Sequence, residues 1–538
     1  MSDKRVLGVA FLIFFILWSN NIKLNDEYLI IEQLKSITHL RFDITIGGFF
    51  SYQGTPYFTF KNLNYASFSH SVAIVSLPIY FTFEFISNFF HFIYFLNWLF
   101  ISAVVISFRN ELPKKPAWFS TLILILFLNL IAYKPLFNYQ DWIPLYSIHF
   151  TNIILAVFTA FIFFRLLVDL YSSPETSKIC SLLLLFATPI AYWTLTAKHH
   201  SLSIFIISLI LFLVNRYEKE MNVKKLYLSF LMAGFLIWIR PLDGVTLFVS
   251  LFLYSLYKAY SYNGFRAILI KFPIYISFSL IGYLPGFAIG MYLFNNPLPI
   301  EIFGNLIAGS GYVRFSSLNE IVFEFPYIFI GINGKTLGVL SYSPVFGLLF
   351  SNLLQRVWKK TISIRRTYLN LKGFEKFILL FSVILFLVYL PTIKSGVINT
   401  DVHDYRFYLP LMIPMTLFLS KTLEKYSLDF SSFLRYFSLN FAILFTTIIL
   451  CVTLTKNSLY PYFNNLYLIS SSILFILFIT FDRFSEETKT ALLSLSIMPT
   501  SIIVLEGVVG YYGPYDSHFV ISIIDYIIKK LIAFFGWV

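Results

Sequence analysis

The chain has 538 residues, of which 58% are hydrophobic, 20% aromatic and 12% charged, with a net charge of +13 and a mean hydropathy of +0.76. A soluble domain carries about 25% charged residues, and no polar stretch here is long enough to fold as one, so a soluble protein is excluded. The positive charge falls in short clusters between apolar runs, which is a topology signal rather than a nucleic-acid surface.

In chain order, Lys4 and Arg5 precede the apolar run 6–18. The shape is that of a signal peptide, but Ser19-Asn20-Asn21-Ile22-Lys23 offers no small-x-small cleavage site. A retained first span is predicted at 6–20, with the N-terminus in the cytoplasm. Residues 20–88 follow as a long outer segment. It opens on Asn25-Asp26-Glu27-Tyr28 and continues as an amphipathic helix over 29–37. The stretch 71–86 is apolar but short, with Pro78 inside and Glu84 near its end, and reads as an interfacial or re-entrant helix. Apolar runs of roughly the 20 residues needed to cross a bilayer then place spans at 89–108, 117–133, 150–168, 179–195, 201–215, 226–239, 244–260 and 272–294. Further spans are expected at 338–355, 376–392, 408–420, 437–455, 463–481 and 491–509, about fifteen in all. The stretch 520–538 fits either a sixteenth span or an amphipathic helix.

Alternation from a cytoplasmic N-terminus puts 26 of the 40 Lys and Arg residues on the cytoplasmic side, as the positive-inside rule requires. The chain is therefore expected to be a multi-pass protein of the cell membrane. Three long segments, 20–88, 295–338 and 393–407, fall on the other face, where loops of that length are usually functional. The cytoplasmic loops are short and contain no Gly-rich phosphate cradle. Cys180 and Cys451 stand far apart in apolar segments, so no disulfide framework is implied.

The candidate chemical residues lie on the outer side. Asp26 and Glu27 stand where the first span ends, at the start of a helix whose open amides stabilise a carboxylate; the plainer reading is a helix cap. Asp141 lies in the short outer loop 134–149. Lys198, His199, His200, Arg240, Lys335 and Arg406 are outward-facing cations near membrane depth, where ionisable groups are costly and tend to be functional. Each has a structural alternative. Lys198-His199-His200 would simply end a span, Arg240 would pair with Asp243, and Arg406 with Asp404 or Asp401. Adjacent histidines such as His199 and His200 rarely point at one metal ion.

The order of these features resembles the GT-C glycosyltransferases, in particular the group of mannosyltransferases and aminoarabinose transferases that use polyprenyl-phosphate sugars. The features are Lys4-Arg5 and one span, Asp26-Glu27, the helix near 29–37, and Tyr65-Ala66-Ser67-Phe68-Ser69-His70 leading into a short apolar helix. Trp238-Ile239-Arg240-Pro241, Ser341-Tyr342-Ser343-Pro344-Val345 and Asp404-Tyr405-Arg406-Phe407-Tyr408-Leu409-Pro410 complete the set. The resemblance spans most of residues 1–420, and 421–538 form C-terminal helices without a match. Relatives commonly carry Pro-Pro or Gly where this chain has Ser69-His70-Ser71.

The resemblance implies an all-α, polytopic transmembrane bundle with amphipathic helices on its outer face. It implies inverting transfer of a sugar from a polyprenyl-phosphate donor to a glycan, lipid or protein acceptor. Asp26, with Glu27 beside it, would take the proton of the acceptor hydroxyl, and the outer cations would hold the lipid phosphate. Alternatively Asp26 and Glu27 would hold a divalent cation through oxygen ligands, with Asp141 in the outer loop 134–149 as a further candidate carboxylate. The rival class is a transporter or flippase of lipid-linked saccharides, against which the two halves show no repeated helix-break pattern. A non-catalytic relative is the third reading.

Overall fold

The computed structural model describes residues 3–18, 27–45, 57–89, 139–171, 173–308, 317, 319, 339–358, 371–390, 408–455 and 460–509. Among them the protein is an α-helical bundle with one small hairpin. The expected spans 89–108 and 117–133 and the stretch 520–538 lie outside the described residues.

Helix α1 (Asp3–Leu17) is followed by α2 (Glu27–Thr38). α2 buries Leu29, Ile30, Ile31, Leu34 and Ile37, the spacing of one helical stripe, while Glu32 and Lys35 pair at 2.8 Å on its other side. Strands β1 (Tyr57–Phe60) and β2 (Leu63–Ala66) form an antiparallel hairpin in which Phe60 faces Leu63. Lys61 and Asn62 both have positive φ, 49° and 64°, as a tight two-residue hairpin turn requires. An all-α reading does not contain this hairpin.

Helix α3 (Ser71–Phe89) continues past the expected end of the interfacial helix at 86. Its apolar stretch 71–88 is long enough to cross a membrane by length and composition, so the helix is longer than the expected 71–86. Four more segments meet the same criterion among the described residues: 143–171, 200–220, 241–261 and 264–294. Helix α4 (Tyr139–Tyr171) also corrects an expectation, because the outer loop 134–149 is helical from Tyr139 onward. Pro144 falls in its second turn and removes one hydrogen bond, but Leu145 and Ile148 pack under α2 and hold the turn.

Several expected spans are broken. The span 179–195 is α5 (Pro174–Phe186) and the short α6 (Ile190–Thr194), separated at Ala187-Thr188-Pro189. α7 (His200–Glu220) and α8 (Val223–Ile239) follow. The spans 244–260 and 272–294 form α9 (Pro241–Phe294), two arms that meet at Gly264, whose φ of 69° and ψ of −166° are non-helical. Gly234 of α8 and Gly282 of α9 let the helices touch backbone to backbone. A Cβ at either would overlap the carbonyl of Ser279 or of Leu231. Small residues serve this purpose in membrane bundles.

Helix α10 (Ile300–Ala308) packs Phe303 on Phe58 of the hairpin and on Phe294. The expected span 338–355 breaks at Ser343-Pro344 between a turn at Val339–Tyr342 and α11 (Gly347–Trp358). α12 (Gly373–Tyr389), α13 (Leu409–Leu423), α14 (Phe430–Thr455) and α15 (Tyr460–Ile479) complete most of the bundle. The expected span 491–509 is split into α16 (Glu486–Leu495) and α17 (Met498–Val509). One continuous core runs from Val6 of α1 to Val504 of α17. The C-terminal helices thus pack on the rest, with Glu175 of α5 accepting the amide of Phe430 at 3.2 Å.

Among the described residues, several of the basic clusters expected on one side of the membrane form ion pairs at one end of the bundle. Arg216 meets Asp169 at 2.9 Å, Lys258 meets Glu218 at 3.0 Å, and Lys425 meets Asp482 at 2.9 Å. Arg5 and Lys178 both stand over the Phe430 ring, at 5.6 and 5.4 Å.

Candidate functional site

The opposite end is built around an unwound, buried stretch between α6 and α7. Pro189 stops α5, and Thr188 covers the break by donating to Leu184 O and accepting from Ile190 N. Residues 187–199 are all buried. Non-helical backbone at membrane depth persists only where protein satisfies it, and here two neighbours do so. Asn152 of α4 donates to Thr196 O at 2.8 Å and to Lys198 O at 2.9 Å. Glu27, at the start of α2, accepts the amide of Ala197 at 2.7 Å.

Glu27 is fully buried, and its Oε2 lies 3.7 Å from His149 Nε2. The other ring nitrogen of His149, Nδ1, is 3.2 Å from Trp18 Nε1. An indole N–H can only donate, so Nδ1 is the acceptor and the neutral ring carries its proton on Nε2, toward Glu27. A chain of partners therefore runs from α1 through α4 to α2 and the Ala197 peptide.

Lys198, His199 and His200 come together at the start of α7. Lys198 is buried with Nζ 3.9 Å from the centre of the Phe68 ring, a distance at which a cation is attracted by the ring face. The His199 ring lies 6.1 Å from Phe68 and 5.0 Å from His200, which packs edge-on against Trp193 at 4.5 Å. His199 is the N-cap and makes no side-chain cap bond, and Lys198 beside it adds positive charge to the positive end of a 21-residue helix.

One turn along α7, Ser203 donates to Asp243 Oδ2 at 3.0 Å. The same oxygen lies 2.8 Å from Arg240 NH1, the local pair that the spacing suggested. Tyr389 of α12 donates to the other oxygen of Asp243, and Tyr408 donates to Tyr389 O at 3.4 Å. Glu301 of α10 also acts electrostatically on Arg240 and Tyr389. Gly304 of α10 sits against Phe58 and the Ser67 hydroxyl, so the hairpin that carries Phe68 onto Lys198 also seats Glu301 near Arg240.

The structure thus gathers Lys198, His199, His200 and Arg240 around the first turns of α7, with Glu27 beside them. Asp26, Lys335 and Arg406 lie outside the described residues. Asp141 falls in the first turn of α4, with only its backbone described. Among the described residues no three His, Cys, Asp or Glu side chains converge as metal ligands. Of the proposed cation-binding carboxylates, Glu27 is buried and accepts the Ala197 amide, while Asp26 and the side chain of Asp141 lie outside the described residues.

His149, Glu301 and Tyr389 were not singled out from the sequence. A lone histidine inside an apolar run was the available signal for His149; Tyr389 reaches Asp243 across 146 positions, and nothing local marks it. His70 is also buried. Its Nε2 lies 3.3 Å from Phe42 O, and burial pushes its pKa down to about 4 despite that bond.

No family model matches the chain, and no curated protein matches it. Two solved structures of ArnT from Cupriavidus metallidurans align with it, each at a TM-score of 0.41. The one bound to undecaprenyl phosphate shares 11% identity over 71% of this chain, and the apo form 12% over 72%. The aligned region spans 66% of the ArnT chain in both. Similarity at that level transfers no role to any residue.

Proposed function

We propose that this chain is a membrane glycosyltransferase that moves a sugar from a polyprenyl-phosphate donor to a glycan, lipid or protein acceptor at the non-cytoplasmic face. The observation that carries this reading is the bond from the Ala197 amide to Glu27. It ties the carboxylate pair that follows the first span to the residue preceding Lys198-His199-His200. An acid–base group and an anion site are the two parts such a transfer needs. Asp26, next to the anchored Glu27 in the chain, takes the proton of the acceptor hydroxyl. That oxygen bonds to the anomeric carbon, and the lipid phosphate departs with the electron pair of the broken bond. Lys198 and Arg240 stabilise the phosphate in a buried setting where charge is poorly screened. Substitution Asp26→Asn in the purified protein is expected to lower transfer about 10²- to 10⁴-fold with binding of a polyprenyl-phosphate hexose retained. Transfer at the wild-type rate would reduce Asp26 to a helix cap and overturn the reading.

A second reading has its own support. The interrupted helix at 187–199, with the N-terminus of α7 facing the buried cations, is also how secondary transporters hold anionic substrates. Proteoliposomes loaded with the same donor separate the two. A transporter moves the lipid-linked sugar across the bilayer with no new glycosidic bond; the enzyme forms the bond.

A further inference from the structure

The main chain around Lys198 is pinned by hydrogen bonds. The Lys198 amide donates to Thr196 O at 2.8 Å, its carbonyl accepts from Asn152 at 2.9 Å, and the Ala197 amide before it is held by Glu27 at 2.7 Å. These bonds fix the peptide and not the charge. The ammonium stands at the end of a long flexible stem whose rotamer freedom is among the largest of any side chain. A cation left to roam in that way meets a bound phosphate only part of the time.

The Phe68 ring reaches the ammonium itself. Nζ lies 3.9 Å from the ring centre, well inside the ~6 Å over which an aromatic face attracts a cation. The ring is in turn held in place. Fully buried Gln33 of α2 donates to Phe68 O at 3.0 Å, and the Ser69 hydroxyl accepts the Ser71 amide at 3.2 Å where the loop enters α3. The side chain packs against two apolar clusters, with Leu29, Ile44 and Ala66 in one and Ile30, Val72 and Ala197 in the other. A ring face acts on a cation through its quadrupole, so it fixes the position of a charge without neutralising it.

We propose that Phe68 is a positioning residue for Lys198, holding the ammonium in the place where it meets the phosphate of the lipid donor. The inference rests on the reading of Lys198 as a phosphate contact and adds a residue that acts only through that lysine. Loss of the ring lets the stem sample other rotamers, so phosphate affinity falls while the apolar lipid tail still binds.

The test is equilibrium binding of polyprenyl phosphate to the purified full-length protein in detergent, with the unphosphorylated polyprenol as the control for the tail. Phe68→Leu is expected to weaken polyprenyl phosphate about tenfold, the size of a desolvated cation–π contact, and to leave polyprenol unchanged. Phe68→Tyr, which keeps the ring face, should bind as the wild type does. Lys198→Met should weaken polyprenyl phosphate as well, and Phe68→Leu should add nothing further in that background. Wild-type or tighter binding in Phe68→Leu, an equal loss of polyprenol, or losses that simply add would overturn the inference. A loss in Lys198→Met with none in Phe68→Leu removes Phe68 and leaves the transferase reading standing. No loss in Lys198→Met removes that lysine from the phosphate site, and the inference with it. Should Phe68→Leu fail to fold, trifluorophenylalanine in place of Phe68 nearly keeps the size and weakens the ring face. Unchanged affinity in that protein would equally sink the proposal.

Discussion

The two ends of the bundle use charge in opposite ways. At the ion-pair end, Lys425 and Asp482 meet at 2.9 Å with about half of each side chain exposed, and such pairs contribute little because water already solvates both partners. At the α2 end, Glu27, Lys198, Arg240 and Asp243 are all buried, where each charge is costly unless matched. Similar residue types thus stand in water-exposed pairs at one end and in a buried cluster at the other. Burial separates the two settings.

Removing a partner should expose that difference most where burial is deepest. Asp243→Ala leaves Arg240 without its 2.8 Å partner and strands the hydroxyls of Ser203 and Tyr389. A loss of about 3–5 kcal/mol is expected, read as a fall in melting temperature in detergent. A change below about 1 kcal/mol would mean that Arg240 is solvated and belongs with the surface pairs.

The next effect is one of pH. The folded His70 titrates at about 4, below the ordinary value near 6.5, so between those values the unfolded chain binds the extra proton. The neutral ring is fully accommodated above pH 6.5. Stability should fall as pH drops from about 6.5 to 4, by about 3 kcal/mol in total. Melting curves of the wild type and His70→Asn should converge in slope only if His70 does not titrate in that window.

Glu27→Gln keeps an oxygen for the Ala197 amide and removes the charge facing His149. A loss of about 1–3 kcal/mol is expected, smaller than for Asp243 because the hydrogen bond survives. An equal or larger loss would make Glu27, rather than Asp243, the main charge holding this end together.

The smallest effect belongs to the other end. Lys425→Ala should cost less than about 1 kcal/mol, and the loss should shrink further in high salt. A salt-independent loss above 2 kcal/mol would dissolve the contrast between the ends.

Hydropathy made most of the helices legible, and the stripe of α2 could be read from Leu29, Ile30, Leu34 and Ile37. The pairing of Arg240 with Asp243 was readable because three residues is one helical turn. The interruptions were not. Pro189 and the Ser343-Pro344 pair lie in apolar runs that averaging passes over, and their effect depends on neighbours such as Asn152 that satisfy the exposed peptides. The hairpin was missed for a related reason. Its turn is Lys61-Asn62 rather than the Asn-Gly that marks such turns, and its strands are held by Phe294 and Phe303 from a distant segment. Of the site, Lys198, His199, His200 and Arg240 stood out as charges out of place, whereas Tyr389 and Glu301 act only through the folded arrangement.

The Ala197 peptide has one more use. Its amide is bonded to a carboxylate from α2, 170 positions away, and not to a main-chain carbonyl. Deuterium uptake at that one amide therefore reports how often α2 lifts from the bundle, while the amides inside α7 report how often α7 itself unravels. A peptide fragment covering 195–199 would keep time for the cover, separately from the helices beneath it.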